Sequence, residues 1–196
     1  MENQTLALIA SFIAMAFVVI AYFVKKKAYY LLCELLCVVF LVISYFFTVQ
    51  FFAMIGLVVG LFRTVTFFVY ENKDKQAPIG WSFLFSGLTI AFYFIVNFGI
   101  LKTAQPLDAL CVLALVAYAF IFRIRNLKIV RFTMIIPTVL SILFNVLTRA
   151  AIFATLTYVF ELCANAVSIF KYHIFGKGRI DIKKILPSRS KYEHFK

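Results

Sequence analysis

Charged residues in this chain are confined to a few short clusters, and long uncharged apolar stretches separate them. A stretch of about 20 residues, folded as a helix that rises 1.5 Å per residue, crosses the roughly 30 Å hydrocarbon core of a bilayer. Hydrophobic residues make up 64% of the 196 residues and charged residues only 14%, whereas soluble domains are nearer half apolar. The pattern therefore predicts an all-α integral membrane protein.

Seven stretches are long enough to be membrane-spanning helices. The predicted spans are Thr5–Val24, Leu31–Thr48, Phe51–Tyr70, Trp81–Ile100, Leu107–Phe122, Phe132–Thr148 and Ala151–Tyr172. The start of the chain, Met-Glu-Asn-Gln, has no basic residue, so it lacks the positive region that precedes a cleaved signal sequence. We therefore expect the first span to stay in the protein.

Basic residues collect in alternate connections. Of the 20 Lys and Arg residues, 17 follow spans one, three, five and seven, whereas only Lys102 and Arg149 fall on the opposite side and Arg63 lies inside a span. By the positive-inside rule the N-terminus is outside and the C-terminus cytoplasmic, which requires an odd number of spans. The net charge of +12 thus indicates membrane topology rather than nucleic-acid binding.

The last three spans repeat the layout of the first three. Spans two and three are joined tightly at Val49 and Gln50, and spans six and seven at Arg149 and Ala150. Two units of equal orientation need a span between them, which predicts seven helices in a three-plus-one-plus-three arrangement, as in parallel-repeat transporters. The predicted units are a first repeat at 1–70, a linker helix with its loops at 71–106, a second repeat at 107–175 and a basic cytoplasmic tail at 176–196.

Two ionisable residues lie near the middle of equivalent spans, where a charge costs about 2.5 to 3.5 kcal/mol on insertion scales. Arg63 is in span three and Glu161 in span seven. Because both helices run in the same direction, we expect an ion pair across the repeat interface that forms the wall of a central site. The alternative is a bridge that only fixes helix packing.

Polar residues accompany this pair on spans six and seven. Intervals of four, four and three residues place a polar stripe on one face of span seven. Tyr45 of span two and Asn145 of span six are both polar and occupy corresponding positions in the two repeats. The candidate binding or gating residues, besides Arg63 and Glu161, are Thr157, Asn165, Ser168 and Asn145. The asparagines also fit a second interpretation, as hydrogen-bonding links between helices.

Other residues have predicted structural roles. Gly56 and Gly60 form a GxxxG motif, which permits close approach of a neighbouring helix. Pro137 interrupts span six and predicts a kink or hinge. Glu34 and Asp108 begin spans two and five, and we interpret both as residues of the membrane interface.

The residues needed for metal binding or catalysis are scarce in the spans. The four cysteines lack the spacing of a disulfide or zinc framework, and both histidines lie at or beyond the end of the last span. No nucleophile and base, HExxH or paired-carboxylate constellation is present there. We therefore expect reduced cysteines, no cofactor and no enzymatic activity.

Three segments carry a resemblance to a known family. Gly60–Tyr70, Phe160–Tyr172 and Lys177–Lys184 together resemble the YgjV family of bacterial inner-membrane proteins. The matching positions are Arg63, Asn145, Glu161, Asn165, Lys171 and Arg179 to Asp181. The resemblance implies an inner-membrane location, and the family's similarity to the SWEET, semiSWEET and PQ-loop transporters implies the three-plus-one-plus-three fold.

The chain departs from sugar carriers of that wider group. It has no Pro-Gln dipeptide, Pro137 is the one proline inside a predicted span, and Gly60 stands where an asparagine is expected. The buried pair Arg63 and Glu161 instead favours a charged or zwitterionic solute, or a proton-coupled cycle.

Two functions remain open from the sequence. The first is a small transporter or facilitator for a small polar metabolite, with its site between spans three and seven and alternating access by rocking of the two repeats. The second is a non-transporting membrane interaction or assembly protein. In that case the Arg63 and Glu161 bridge is structural, and the basic tail recruits a partner or anionic lipid.

Overall fold

The computed structural model describes residues 2–48, 51–100, 105–148 and 152–174. Within these ranges the regular structure is helical and contains no strand. The helices are α1 Glu2–Phe23, α2 Lys27–Phe47, α3 Phe51–Asn72, α4 Ile79–Phe94, α5 Asp108–Ile121, α6 Leu127–Leu147 and α7 Ile152–Ile169, with π-helical segments at Ile95–Ile100 and Phe170–Ile174. The tight connections around residues 49–50 and 149–150 and the predicted tail at 176–196 lie outside the described residues.

Five of the described helices are long and apolar enough to cross a membrane. They are Asn3–Phe23, Lys27–Phe47, Met54–Asn72, Ile79–Gly99 and Leu127–Leu147. The apolar helix α5 is shorter, with 14 residues. Five candidate spans are thus found by length and composition, and the count of seven stays a prediction.

The outer surface of the bundle is apolar. Phe12, Phe62, Phe83, Phe98 and Ile136 all have more than half of their surface exposed, whereas many polar and charged side chains are buried. A water-soluble protein has the opposite distribution, and lipid is the solvent that suits this one. The chain is therefore a membrane-embedded helical bundle.

Helix contacts define a closed ring in the order α1, α2, α3, α5, α6 and α7, and α7 returns to pack on α1. Helix α4 packs on both α3 and α5. The largest fully buried side chains include Tyr22, Tyr30 and Phe122, whose rings meet edge to face inside this ring, with centroids 5.7 and 6.3 Å apart. Aromatic packing thus fills part of the centre of the bundle.

Helices α2 and α6 begin several residues earlier than their apolar runs predicted. A basic residue is buried in the first turns of each, Lys27 in α2 and Arg131 in α6. Lys27 Nζ lies 2.8 Å from Glu71 Oε2 at the end of α3, and Arg131 bonds backbone carbonyls of the α1 end. Because these charges have partners, the helices continue through them.

Two connections meet at one end of the bundle. Arg123 Nε donates to the carbonyl of Ala77 at 3.0 Å, and the Arg125 guanidinium forms an ion pair with Asp74. These contacts join the α5–α6 connection to the α3–α4 connection. The Lys27 and Glu71 pair is at the same end, since α2 begins and α3 ends there.

Candidate binding cavity

A cavity lies inside the helix ring and is lined from α2, α3, α5, α6 and α7. It has about 50 Å³ of space for the centres of water-sized molecules, and a single water needs roughly 10 to 15 Å³. Its charged lining residues are Glu34, Arg63 and Glu161, and its aromatic ones are Tyr45, Tyr118, Phe122, Phe144 and Tyr158. The cavity therefore combines apolar and aromatic walls with three ionisable groups.

Arg63 is held by α5. Its Nη1 donates to the carbonyl of Leu115 at 2.7 Å, and its Cζ lies 5.4 Å from the ring centre of Tyr118 and 5.2 Å from that of Phe122. Both distances suit cation–π attraction. The side chain is 4% exposed, and its Nε has no hydrogen-bond partner. One donor of the guanidinium is thus unused at the cavity wall.

The two glycines of the GxxxG motif make room for this arrangement. A Cβ added at Gly56 would lie 2.7 Å from Leu115 Cδ1, and one at Gly60 would lie 3.3 Å from Arg63 Nη2. Gly56 therefore permits the approach of α5, as a packing motif does. Gly60 has a second effect, because it leaves space for the guanidinium.

Glu161 joins three helices. Its Oε1 accepts hydrogen bonds from Tyr22 of α1 at 2.9 Å and from Thr138 of α6 at 3.0 Å. The carboxylate is 4% exposed. Two hydroxyl donors in the low-dielectric interior compensate part of the cost of burying it.

The expected ion pair between Arg63 and Glu161 is not formed. Among the described residues the ion pairs are Lys27 with Glu71 and Arg125 with Asp74. The reason is that α3 packs on α2, α4 and α5, while α7 packs chiefly on α1 and α6. The two side chains reach one cavity from different walls, and each meets partners on its own neighbouring helices.

Glu34 lines the cavity, whereas the sequence placed it at the membrane interface. It is 5% exposed, and its Oε1 has no hydrogen-bond partner. Helix α2 begins at Lys27, seven residues earlier, so Glu34 lies about 10 Å into the helix. The depth of Glu34 was missed because α2 begins before its apolar run. The ion pair of Lys27 allows the first helical turn to form there.

Asp108 is buried as well, at the first residue of α5. Its Oδ2 accepts from Asn97 Nδ2 at 2.8 Å and from the backbone N–H of Gln105 at 3.0 Å. Asn97, in the π-helical segment that follows α4, therefore ties that segment to the start of α5. Asp108 does not line the cavity.

The predicted polar stripe of α7 divides among different surroundings. Only Glu161 lines the cavity. Thr157 Oγ1 is 3.4 Å from the carbonyl of Ser11 on α1, and Asn165 Nδ2 donates to the carbonyl of Arg131 on α6 at 2.7 Å. Ser168 is fully buried, and its Oγ has no hydrogen-bond partner. The stripe thus follows the α1 and α6 contacts rather than a single site.

Asn145 and Tyr45 both line the cavity and contact each other. The Tyr45 hydroxyl donates to Asn145 Oδ1 at 3.1 Å, and Asn145 Nδ2 donates to the carbonyl of Ser141 at 2.8 Å. Their side chains are each 2% exposed. This bond links α2 with α6 across the cavity.

Arg131 is a structural residue that the sequence analysis did not single out. Its Nη2 donates to the carbonyls of Tyr22 at 3.0 Å and Val24 at 2.8 Å, and its guanidinium lies 4.8 Å from the ring centre of Tyr172. The last carbonyls of a helix lack intrahelical partners. Arg131 therefore caps α1 from α6.

The structure also describes Pro137, the cysteines and the side chains that could bind a metal. Helix α6 runs without interruption through Pro137. The role of Pro137 as a hinge stays a prediction. The four cysteines are unbridged. Within the described ranges, no three His, Cys, Asp or Glu side chains gather as a metal site would require.

The apolar outer surface and the charged internal cavity place this chain in the class of integral membrane proteins, with polar residues buried inside a helical bundle. The sequence model of the family Imp-YgjV, bacterial inner membrane protein, matches residues 5–174. The chain belongs to this family of bacterial inner-membrane proteins, in agreement with the resemblance carried by its motifs. Neither the curated proteins nor the solved structures contain a match to the chain.

Proposed function

We propose that this protein is a small transporter or facilitator for a small polar or charged solute, with its site in the central cavity. The observation that carries the proposal is that Glu34, Arg63 and Glu161 line one cavity without an ion pair among them. Glu34 Oε1 and Arg63 Nε have no partner. A buried polar group without a partner costs about 1 to 3 kcal/mol, a cost that a bound solute or water removes.

The two halves of the ring are the moving parts in this proposal. Helices α2 and α6 each have 21 residues, and their starts, Lys27 and Leu127, are 100 residues apart. The three-plus-one-plus-three arrangement, with α4 as linker, then pairs α1 to α3 against α5 to α7 around the cavity. The kinship with SWEET-type carriers, the rocking of the halves and the Pro137 hinge belong to this proposal.

The proposed orientation places the N-terminus outside and the C-terminus in the cytoplasm. The support is the collection of basic residues in alternate connections, two of which meet through Arg123 and Arg125 at one end of the bundle. A fluorescent-protein fusion at the C-terminus should be bright, and a periplasm-dependent phosphatase fused there should be inactive. The reverse result would overturn the orientation.

The function is tested by ligand-induced stabilisation followed by transport. Detergent-purified protein is melted with a library of sugars, amino acids, amines, vitamins and nucleosides, because a ligand at 100 times its Kd stabilises by about 2.7 kcal/mol. Each stabilising compound is then followed by radiolabelled uptake into proteoliposomes. Saturable uptake that Glu161→Gln abolishes supports the transporter, whereas binding without uptake contradicts it.

A second candidate is a non-transporting assembly protein, and specific contacts favour it. Glu161 joins α1, α6 and α7 through its hydroxyl partners, and Arg63 ties α3 to α5. Both residues therefore have structural partners even without a direct bridge. If Glu161→Gln lowers the melting temperature sharply and no compound stabilises the wild type, this candidate replaces the transporter. Neither candidate is an enzyme or a nucleic-acid-binding protein.

A further inference from the structure

The ionisable groups of the cavity do not balance. Two carboxyl groups, Glu34 and Glu161, share its wall with one guanidinium, Arg63. When all three are ionised, the cavity carries one net negative charge in a low-dielectric bundle. Arg63 is already engaged by the Leu115 carbonyl and two aromatic rings. In that fully ionised state the cavity lacks a second cation.

The carboxyl groups also differ in what surrounds them. Glu161 Oε1 accepts two hydroxyl hydrogen bonds, but Glu34 Oε1 is buried without a hydrogen bond, as is the hydroxyl of Tyr30 one turn earlier on α2. A carboxylate is an acceptor-only group, so a ligand that satisfies it must donate hydrogen atoms. An ammonium group has three donors and the required positive charge.

The rest of the lining favours an organic cation over a metal ion. Five aromatic side chains, together with aliphatic ones such as Leu41 and Leu57, form much of the wall. Alkali and alkaline-earth ions bind through shells of oxygen ligands, and among the described residues no three His, Cys, Asp or Glu side chains come together as such a site would require. Aromatic faces attract ammonium-type cations, and apolar surface suits a short carbon chain.

We propose that the cavity binds a small organic solute through a primary ammonium group, which Glu34 receives with Glu161 nearby. The transport of that solute rests on the proposed function, whereas its binding does not. The space, about 50 Å³ for the centres of water-sized molecules, matches a compact amine in the described conformation. The unused Nε of Arg63 adds a site for a carboxylate, so a zwitterionic amino compound is the extended form of the same ligand class.

The test is calorimetric titration and melting of the full-length purified protein with matched pairs of probes. Methylammonium is compared with methanol, and ethanolamine with ethylene glycol, so that only the ammonium group changes. Glycine is compared with ethanolamine to measure what a carboxylate adds. We expect the ammonium member of each pair to bind at least about tenfold more tightly, as a charge-assisted hydrogen bond implies.

Protein variants locate the binding group. Glu34→Gln should weaken methylammonium binding about tenfold or more, and Glu34→Asp should weaken it less, because the charge is retained. The matched control is Asp74→Asn, which removes an exposed carboxylate outside the cavity and should leave binding unchanged. The melting temperature of each unliganded variant shows whether it folds.

Equal binding within both probe pairs by the wild type would overturn the proposal, whatever the variants do. Equal loss in Glu34→Gln and Asp74→Asn would also overturn it, because the effect would then be one of general charge. If the proposed transport function fails but the ligand assignment holds, the amine binds at Glu34 and is not taken up by proteoliposomes. Saturable uptake of a neutral solute, with no amine binding, would contradict only the ligand assignment.

Discussion

The hydroxyl of Tyr45 donates to Oδ1 of Asn145 at 3.1 Å, and the two residues are 100 positions apart in the chain. Each is the nineteenth residue of its helix, Tyr45 in α2 and Asn145 in α6. In the predicted repeat the two residues occupy corresponding positions. The structure shows them bonded to each other, so the contact joins α2 to α6 beside the cavity.

Removal of this bond should destabilise the bundle by a measurable coupling energy. We expect a double-mutant cycle of Tyr45→Phe and Asn145→Leu to give about 0.5 to 1.7 kcal/mol, the range of hydrogen bonds between membrane helices. Reversible unfolding in mixed detergent micelles measures it. Strictly additive single effects would show that the contact contributes nothing.

Glu161 should tolerate the loss of its charge but not of its acceptor. A Gln side chain retains an oxygen for the Tyr22 and Thr138 hydroxyls, so Glu161→Gln should lower stability by no more than about 1 kcal/mol. Glu161→Leu leaves the buried Tyr22 hydroxyl without its acceptor, whereas the Thr138 hydroxyl keeps the carbonyl of Met134 at 2.8 Å, so this variant should cost about 1 to 3 kcal/mol. Melting curves of both variants make the comparison. A Gln variant as unstable as the Leu variant would show that the charge itself holds the fold.

Arg63 should not be replaceable by lysine. Its planar guanidinium bonds the Leu115 carbonyl while it lies against Tyr118 and Phe122, and a compact ammonium cannot make both contacts with the same geometry. Arg63→Lys should therefore cost about 1 to 3 kcal/mol. The control is Lys128→Arg on the α6 first turn. Equal stability of Arg63→Lys and the wild type would contradict the assigned contacts.

Arg131 should stabilise the end of α1 locally. Arg131→Leu removes the donors to the Tyr22 and Val24 carbonyls, and Leu31 stands at the same place, the fifth residue, of α2. Hydrogen exchange should rise around residues 20–26 more than in α2 or α3, because the last carbonyls of α1 lose their partner. A uniform rise over all helices would indicate global destabilisation instead of a lost cap.

The helical class and the membrane location were predictable because they depend on local composition. Apolar runs of membrane-spanning length form helices whatever their neighbours are, since the backbone must satisfy its own hydrogen bonds in lipid. The motifs around Arg63 and Glu161 likewise pointed to the family that the comparison confirms over residues 5–174. Gly56 was identified as a packing residue, and it lies against Leu115.

The composition of the cavity was not predictable in the same way. Position along a helix is set by the sequence, but the neighbours of a side chain depend on which helices pack together and how each is rotated. Arg63 therefore hydrogen-bonds to α5 instead of pairing with Glu161, and Asn165 hydrogen-bonds to the backbone of Arg131. Glu34 entered the cavity because a buried ion pair at Lys27 starts α2 early. Local composition thus specifies a bundle of apolar helices with polar residues among them, whereas the packing of the helices sets which of those residues share a site.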